Sequence, residues 1–213
     1  MLTFKIVEII MKKIILASKS IDRSELLKKA GIPFEKLVTN IDEEKYKAKY
    51  SHGNDLVKEL AKVKALFAKN KLIKSELDAL IVAADSLVIL EGEIIGKAQT
   101  EEEAFKIIKK LTGRTHELIT GIAITETNNP KIIIDSDTTF VQFLKLSDEE
   151  IIQYIKTDEW KGRAGAYSIN DKASLFIKKI NGSSSNVIGL PMHKLYKILR
   201  TEFGLNLFHI ERA

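Results

Sequence analysis

Cysteine is absent from the 213 residues, which excludes disulfides and thiolate metal sites and points to a reducing compartment, the cytoplasm. Histidine is scarce, with four residues and no H-E-x-x-H pattern, so a histidine-rich zinc site is not expected. No apolar run approaches the ~20 residues of a membrane span, so no membrane partner is expected. The opening MLTFKIVEII contains Lys5 and Glu8 and lacks a small-residue cleavage site, unlike a secretory signal. Met11-Lys12-Lys13 reads as a second start directly before the first strand, so residues 1–12 are expected to be an extension or a misassigned start. Residues 13–213 are then expected to form one domain, since no repeat, linker or low-complexity tract divides them. No G-x-G-x-x-G occurs, so there is no dinucleotide fingerprint. Aromatic residues do not interleave with the lysines, so a nucleic-acid partner is not expected either. The formal net charge of +5 has two readings, a solvated lysine-rich surface or a small phosphorylated ligand.

What is present suits a mixed α/β chain with 45% hydrophobic and 30% charged residues. Lys13 to Ala17 reads as a short buried strand, Ser18-Lys19-Ser20 as a polar turn, and Ile21 to Ala30 as a helix. Asp22 and Glu25 have capping-box spacing at its start, while Gly31 and Pro33 end it. Such a strand–turn–helix aims backbone N–H groups at its turn, where anions bind. Phe34 to Thr39 reads as a second strand, and Ile41-Asp42-Glu43-Glu44 is either a solvated acidic loop or a set of hard-cation ligands. Asn54 to Lys69 places Leu56, Leu60, Val63 and Phe67 at helical spacing, with Asn54 as its cap.

The run LIVAADSLVILEGEIIGK is the centre of the chain. Ala79 to Ala84 is a small-apolar stretch of the kind buried on both faces of a sheet, and it is expected to stop at Asp85. A carboxylate at the end of a buried strand is costly without a partner or a task. The turn Glu91-Gly92-Glu93 then returns Lys97 towards that acid. Thr100 with Glu103, and Ser147 with Glu150, mark two further helix starts. His116 to Thr125 and Lys131 to Leu146 predict a long antiparallel pair, so the sheet is expected to be mixed. Leu175 to Ile180 reads as the last core strand, NGSSSN as a loop, and Pro191 as the first turn of a closing helix.

Five segments in order resemble the Maf family of nucleoside triphosphate pyrophosphatases: ILASKSIDRSELLKKAG, VAADSLVILEGEIIGK, LTGRTHELITG, AGAYSI and INGSSSNVIGLP. They run from Lys13 to Pro191. The resemblance implies a strongly twisted mixed sheet flanked by helices, in two lobes with a cleft. It implies hydrolysis of a nucleoside triphosphate to a monophosphate and pyrophosphate, an acid-anhydride cleavage that keeps modified nucleotides out of nucleic acids, with a role in septum formation. The other reading is a catalytically weak nucleotide-binding regulator of septum formation. It also implies a divalent cation, Mg²⁺ or Mn²⁺, and allows a homodimer.

By position, the resemblance makes Asp85 the acid that accepts a proton from the attacking water, and gives Asp85 and Glu43 the metal. It places Ser18, Ser20, Arg23, Lys64 and Lys97 on the phosphates, and Arg23, Ser86 and Asn170 where substrate classes differ. Three positions depart from the family pattern. Ile21-Asp22 stands for Pro-Arg, Ala98 for Pro, and Asn170 for Gln. Asp22 exchanges a cation for an anion beside the expected phosphate turn. It is expected to turn away as a helix cap, with Lys19 compensating. These departures leave the preferred base open.

Overall fold

The computed structural model describes residues 12–50 and 52–209. The expectation for residues 1–11 lies outside them. The chain opens with β1 (Lys13–Leu16), α1 (Ile21–Lys29), β2 (Glu35–Lys36), α2 (Glu44–Lys47) and α3 (Gly53–Ile73). It continues through β3 (Ala79–Leu90), β4 (Glu93–Ile95), α4 (Glu101–Leu111), β5 (Thr115–Glu126) and β6 (Ile132–Phe143). It closes with α5 (Asp148–Ile155), β7 (Ile177–Asn181), α6 (Ser184–Ile188) and α7 (Met192–Phe203). Seven strands form one mixed sheet in the order β2-β1-β3-β5-β6-β7, with β4 also on β3. β1 runs parallel to β2 and β3, and the other pairs are antiparallel.

β3 organises the sheet, and here the structure corrects the sequence reading. The strand does not stop at Asp85 but continues unbroken to Leu90. Its ladder to β5 registers every residue from Leu80 to Ile89, with Asp85 opposite Gly121 and Ser86 opposite Thr120. The other edge of β3 is divided. β1 pairs with Ala79 to Val82 and β4 with Val88 to Leu90, so no strand covers the residues between. Asp85 sits in that gap, at mid-strand rather than at a strand end.

Alternation along β3 sends odd-numbered residues to one face and even-numbered residues to the other. Ile81 and Ala83 pack with Ala61, Ala65 and Ala68 of α3, while Leu87 joins Leu56, Val57 and Leu60. Leu80, Val82 and Ala84 meet Leu195, Ile198 and Leu199 of α7 on the opposite face. Beyond the gap, Val88 and Leu90 enter another cluster with α4, α5, Trp160, Tyr167 and Phe176. One strand thus runs through four apolar clusters, and its uncovered edge opens where those at its two ends part.

Other expectations shift for local reasons. The first helix is capped by Ser20, whose hydroxyl accepts from the Arg23 N–H at 3.3 Å, not by Asp22. α3 starts at Gly53 with His52 as an N-cap that makes no side-chain bond; Asn54 instead accepts from the Ser136 hydroxyl at 2.6 Å. Ser147 and Glu150 make the complete reciprocal box. Thr100 accepts from Glu103, but the Glu103 carboxylate reaches back to the N–H of Gln99. The second strand shrinks to two residues. The last becomes an edge strand preceded by a 3₁₀ turn at Lys172–Leu175. The NGSSSN loop is in part α6, capped by Ser183 and ended by left-handed Gly189.

Candidate active site

A cleft of about 1410 Å³ opens at the gap in β3. Asp85 and Ser86 both line it although successive strand residues point to opposite faces, so the cleft wraps around the uncovered edge. Asp85 is buried and lies on the α3 side. Lys64, also buried, reaches from α3 and donates to Asp85 Oδ1 at 2.5 Å. The same ammonium contacts Glu43 Oε1 at 2.7 Å. α3 can approach this closely because β5 has no side chain at Gly121: a Cβ there would lie 2.3 Å from the Val57 carbonyl oxygen. Lys64 is two turns further along the same helix face as Val57.

The acidic loop separates by partner. Asp42 pairs with Lys45 at 3.4 Å and Glu44 with Lys47 at 2.6 Å, both in solvent. All three line the cleft, but of the three it is Glu43 that reaches Lys64. Burial pushes its pKa up, but Lys64, with Lys97 and Lys47, outweighs that and holds it below the usual glutamate value. Lys97 follows β4 and is placed by an isolated antiparallel bridge to Ala164. Solvent reaches its tip at the cleft mouth, yet the surrounding walls lower its pKa, against the upward pull of Asp85 and Glu43.

On the other face, Arg23 is fastened rather than free. Its guanidinium donates to the Gly189 carbonyl at 2.7 Å, Ser18 Oγ at 3.0 Å and Ser86 Oγ at 3.1 Å. Burial lowers its pKa while Asp85 and Glu43 raise it. Ser18 Oγ also accepts from the Ser20 N–H at 3.2 Å, which tightens the polar turn. Ser86 bonds to Thr120 Oγ1 at 2.9 Å, and Thr120 donates to the Asn186 carbonyl at 3.1 Å. Gly189, at φ +113, holds a backbone conformation that side-chain-bearing residues rarely adopt, and a Cβ there would sit in contact with Arg23 and Ser86 at 3.4 Å.

The structure therefore gathers Ser18, Ser20, Arg23, Glu43, Lys64, Asp85, Ser86 and Lys97 around one cleft. Asn170 is exposed and outside its lining. Asp22 does not cap α1: it pairs with Arg163 at 3.3 Å, and Arg163, not Lys19, balances its charge. Sequence reasoning missed Arg163 because its partner lies 141 residues away. It also missed Asn186, wholly buried, whose amide donates to the Leu118 carbonyl at 3.1 Å and Thr139 Oγ1 at 3.0 Å.

Comparison with known proteins agrees with this geometry. The family described as "Maf-like protein" matches residues 13–202. The chain belongs to the Maf family. Among curated relatives, the dTTP/UTP pyrophosphatase of Alkaliphilus oremlandii (strain OhILAs) is 44% identical over 197 residues, covering 92% of this chain and 100% of the relative. The protein of that name from Thermoanaerobacter sp. (strain X514) is 40% identical over 198 residues, covering 92% and 99%. One from Caldicellulosiruptor saccharolyticus is 41% identical over 195 residues, covering 89% and 94%. The mixed sheet with flanking helices is the architecture expected of a Maf chain. Among the described residues, no helix is long and apolar enough to cross a membrane.

Proposed function

We propose that this Maf chain hydrolyses nucleoside triphosphates to the monophosphate and pyrophosphate, with dTTP and UTP as its first substrates. The observation that carries the reaction is the buried Asp85 in the uncovered edge of β3, flanked by Lys64, Glu43 and Lys97 in one cleft. The relatives named dTTP/UTP pyrophosphatase support the substrate class.

A triphosphate repels any anionic nucleophile until its charge is balanced, and cations fixed in a cleft do this without reorganising. Lys64 and Lys97 are those cations. Lys64 donates to one carboxylate oxygen of Asp85, and a carboxylate held at that edge can orient water and take its proton. As the water oxygen bonds to the α-phosphorus, the α–β bridge breaks, pyrophosphate leaves with the bond's electrons, and the proton passes to Asp85. Arg23, held by three bonds, forms a rigid wall rather than a mobile clamp.

Asp85 and Glu43 fit a divalent cation, because Lys64 shows that both carboxylates can share one positive centre. No cluster of three or more metal-ligating side chains occurs among the described residues. Two carboxylates completed by substrate phosphates and water is a common Mg²⁺ arrangement. When bound, Mg²⁺ or Mn²⁺ held by Asp85 and Glu43 would supply positive charge against the phosphates. The test is a panel of natural and modified triphosphates assayed for pyrophosphate with each metal. Pyrophosphate from dTTP and UTP ahead of purine triphosphates supports the proposal. Clear nucleotide binding with no pyrophosphate from any of them would replace the enzyme with a binding protein.

A further inference from the structure

Arg163 lies in the cleft wall at the start of the turn that ends in Tyr167. All three of its guanidinium nitrogens contact its own protein. Nε and one terminal nitrogen contact the two carboxylate oxygens of Asp22 at 3.3 Å each, a side-on pair. The second of these nitrogens also contacts Asp171 at 3.0 Å, and the remaining one donates to the Glu159 carbonyl at 2.5 Å. Burial lowers the Arg163 pKa, but Asp22 and Asp171 outweigh that and hold it above the usual arginine value. One cation between two carboxylates leaves the cluster net negative. It offers a phosphate no spare charge.

The cluster does connect two walls. Asp22 is in the first turn of α1, on the Arg23 side, whereas Arg163 precedes a turn packed on the cluster of Val88 and Leu90 at the other end of β3. That turn is conformationally demanding: Gly165 and Ala166 are both left-handed, at φ +68 and +60. A left-handed alanine costs about 1–2 kcal/mol, so its surroundings must hold it. Tyr154 Oη holds one side by donating to the Ala166 carbonyl at 3.1 Å. Arg163 holds the other. The residue between Arg163 and Gly165 is Ala164, the backbone partner of Lys97.

We propose that Arg163 is a positioning residue, which ties this turn to α1 through Asp22 and, through the Ala164–Lys97 bridge, sets where Lys97 stands in the cleft. The role assigned to Lys97 rests on the function proposed above; the placement of Lys97 does not. Two readouts keep them apart. The first is the acetylation rate of Lys97 relative to exposed Lys178, followed by mass spectrometry without nucleotide. Arg163→Gln and Asp22→Asn should each change that ratio at least threefold, and Arg163→Lys should restore part of it. An unchanged ratio in folded Arg163→Gln and Asp22→Asn overturns the proposal, whatever the activity.

The second readout is dTTP binding. If Arg163 positions Lys97, both variants raise KM by about tenfold, equivalent to ~1.4 kcal/mol, and leave kcat within about threefold. If Arg163 instead gripped phosphate directly, Asp22→Asn would free a cation and lower KM; that result also overturns the proposal. A shifted acetylation ratio in a protein that hydrolyses no triphosphate upholds the positioning role and rejects the proposed function. Should Arg163→Gln fail to melt cooperatively, Asp22→Asn, which cuts only the α1 arm, decides the matter.

Discussion

At the scale of single residues, the site is a buried carboxylate whose charge Lys64 balances and whose edge no strand covers. Asp85→Asn keeps the shape and removes the proposed proton acceptor, so turnover should drop by roughly 10²–10⁴-fold while the melting curve remains cooperative. Lys64→Ala should do more damage to the fold than to local shape. It leaves buried Asp85 unpaired, and breaking such a pair costs ~3–5 kcal/mol, readable as a lower denaturant midpoint. His116 supplies a pH-dependent test. It is buried, its Nε2 contacts Tyr167 Oη at 2.9 Å, and burial lowers its pKa to about 4. Because the folded value lies below the unfolded one near 6.5, the unfolded chain binds the extra proton between them. Stability is thus full above about pH 6.5 and declines as pH falls towards 4, by on the order of 3 kcal/mol. His116→Gln should flatten that slope in urea titrations run across the interval. Asp85 and Lys97 were legible in the sequence through their segment, whereas Glu43 and Lys64 were reached only through the family resemblance, because no local spacing singles them out. Arg163 was not, since an ion pair closed across 141 residues follows no local spacing rule.

At the scale of elements, β3 teaches why a strand can hide in a sequence. A lone acid after six small apolar residues looks like a stop, because an unpartnered buried charge would be one. The strand continues because β5 supplies an unbroken ladder on one side and α3 supplies Lys64 from above. Neither partner is visible locally. α6 was hidden differently: its serines read as loop, but Ser183 serves as an N-cap and the helix lasts only five residues. Strand–helix order and the long antiparallel pair were legible, because periodicity and caps are local signals. The contact between α3 and β5 gives a direct test. Gly121→Ala puts a methyl group into the backbone at Val57, which cannot yield as a side chain end would. α3 must shift, so a loss of ~1–3 kcal/mol in stability is expected. Activity should fall further than that loss of folded protein explains, because Lys64 moves with the helix.

At the scale of the whole molecule, four apolar clusters share one strand, and the cleft lies where those at its two ends separate. Among the described residues, seven cationic ones line it, Lys19, Arg23, Lys47, Lys64, Lys97, Lys161 and Arg163, within a chain of net charge +5. A triphosphate should therefore bind more weakly as salt rises, since only the buried part of that field escapes screening. Bound ligand should also stabilise these clusters together. At a hundredfold excess over Kd the gain is ~2.7 kcal/mol, which for a domain of this size raises Tm by roughly 5–10 °C. Asp85→Asn should show that shift too, because it removes the proposed proton acceptor and keeps the cations.

The decisive measurement pairs these properties in one protein: single-turnover conversion of dTTP with Mg²⁺, followed as thymidine monophosphate and pyrophosphate, for wild type and Asp85→Asn at saturating nucleotide. Equimolar monophosphate and pyrophosphate from wild type, with the variant at least about a hundredfold slower and still bound to nucleotide, is the expected result. Equal rates in the two proteins, or orthophosphate and thymidine diphosphate as products, would contradict it.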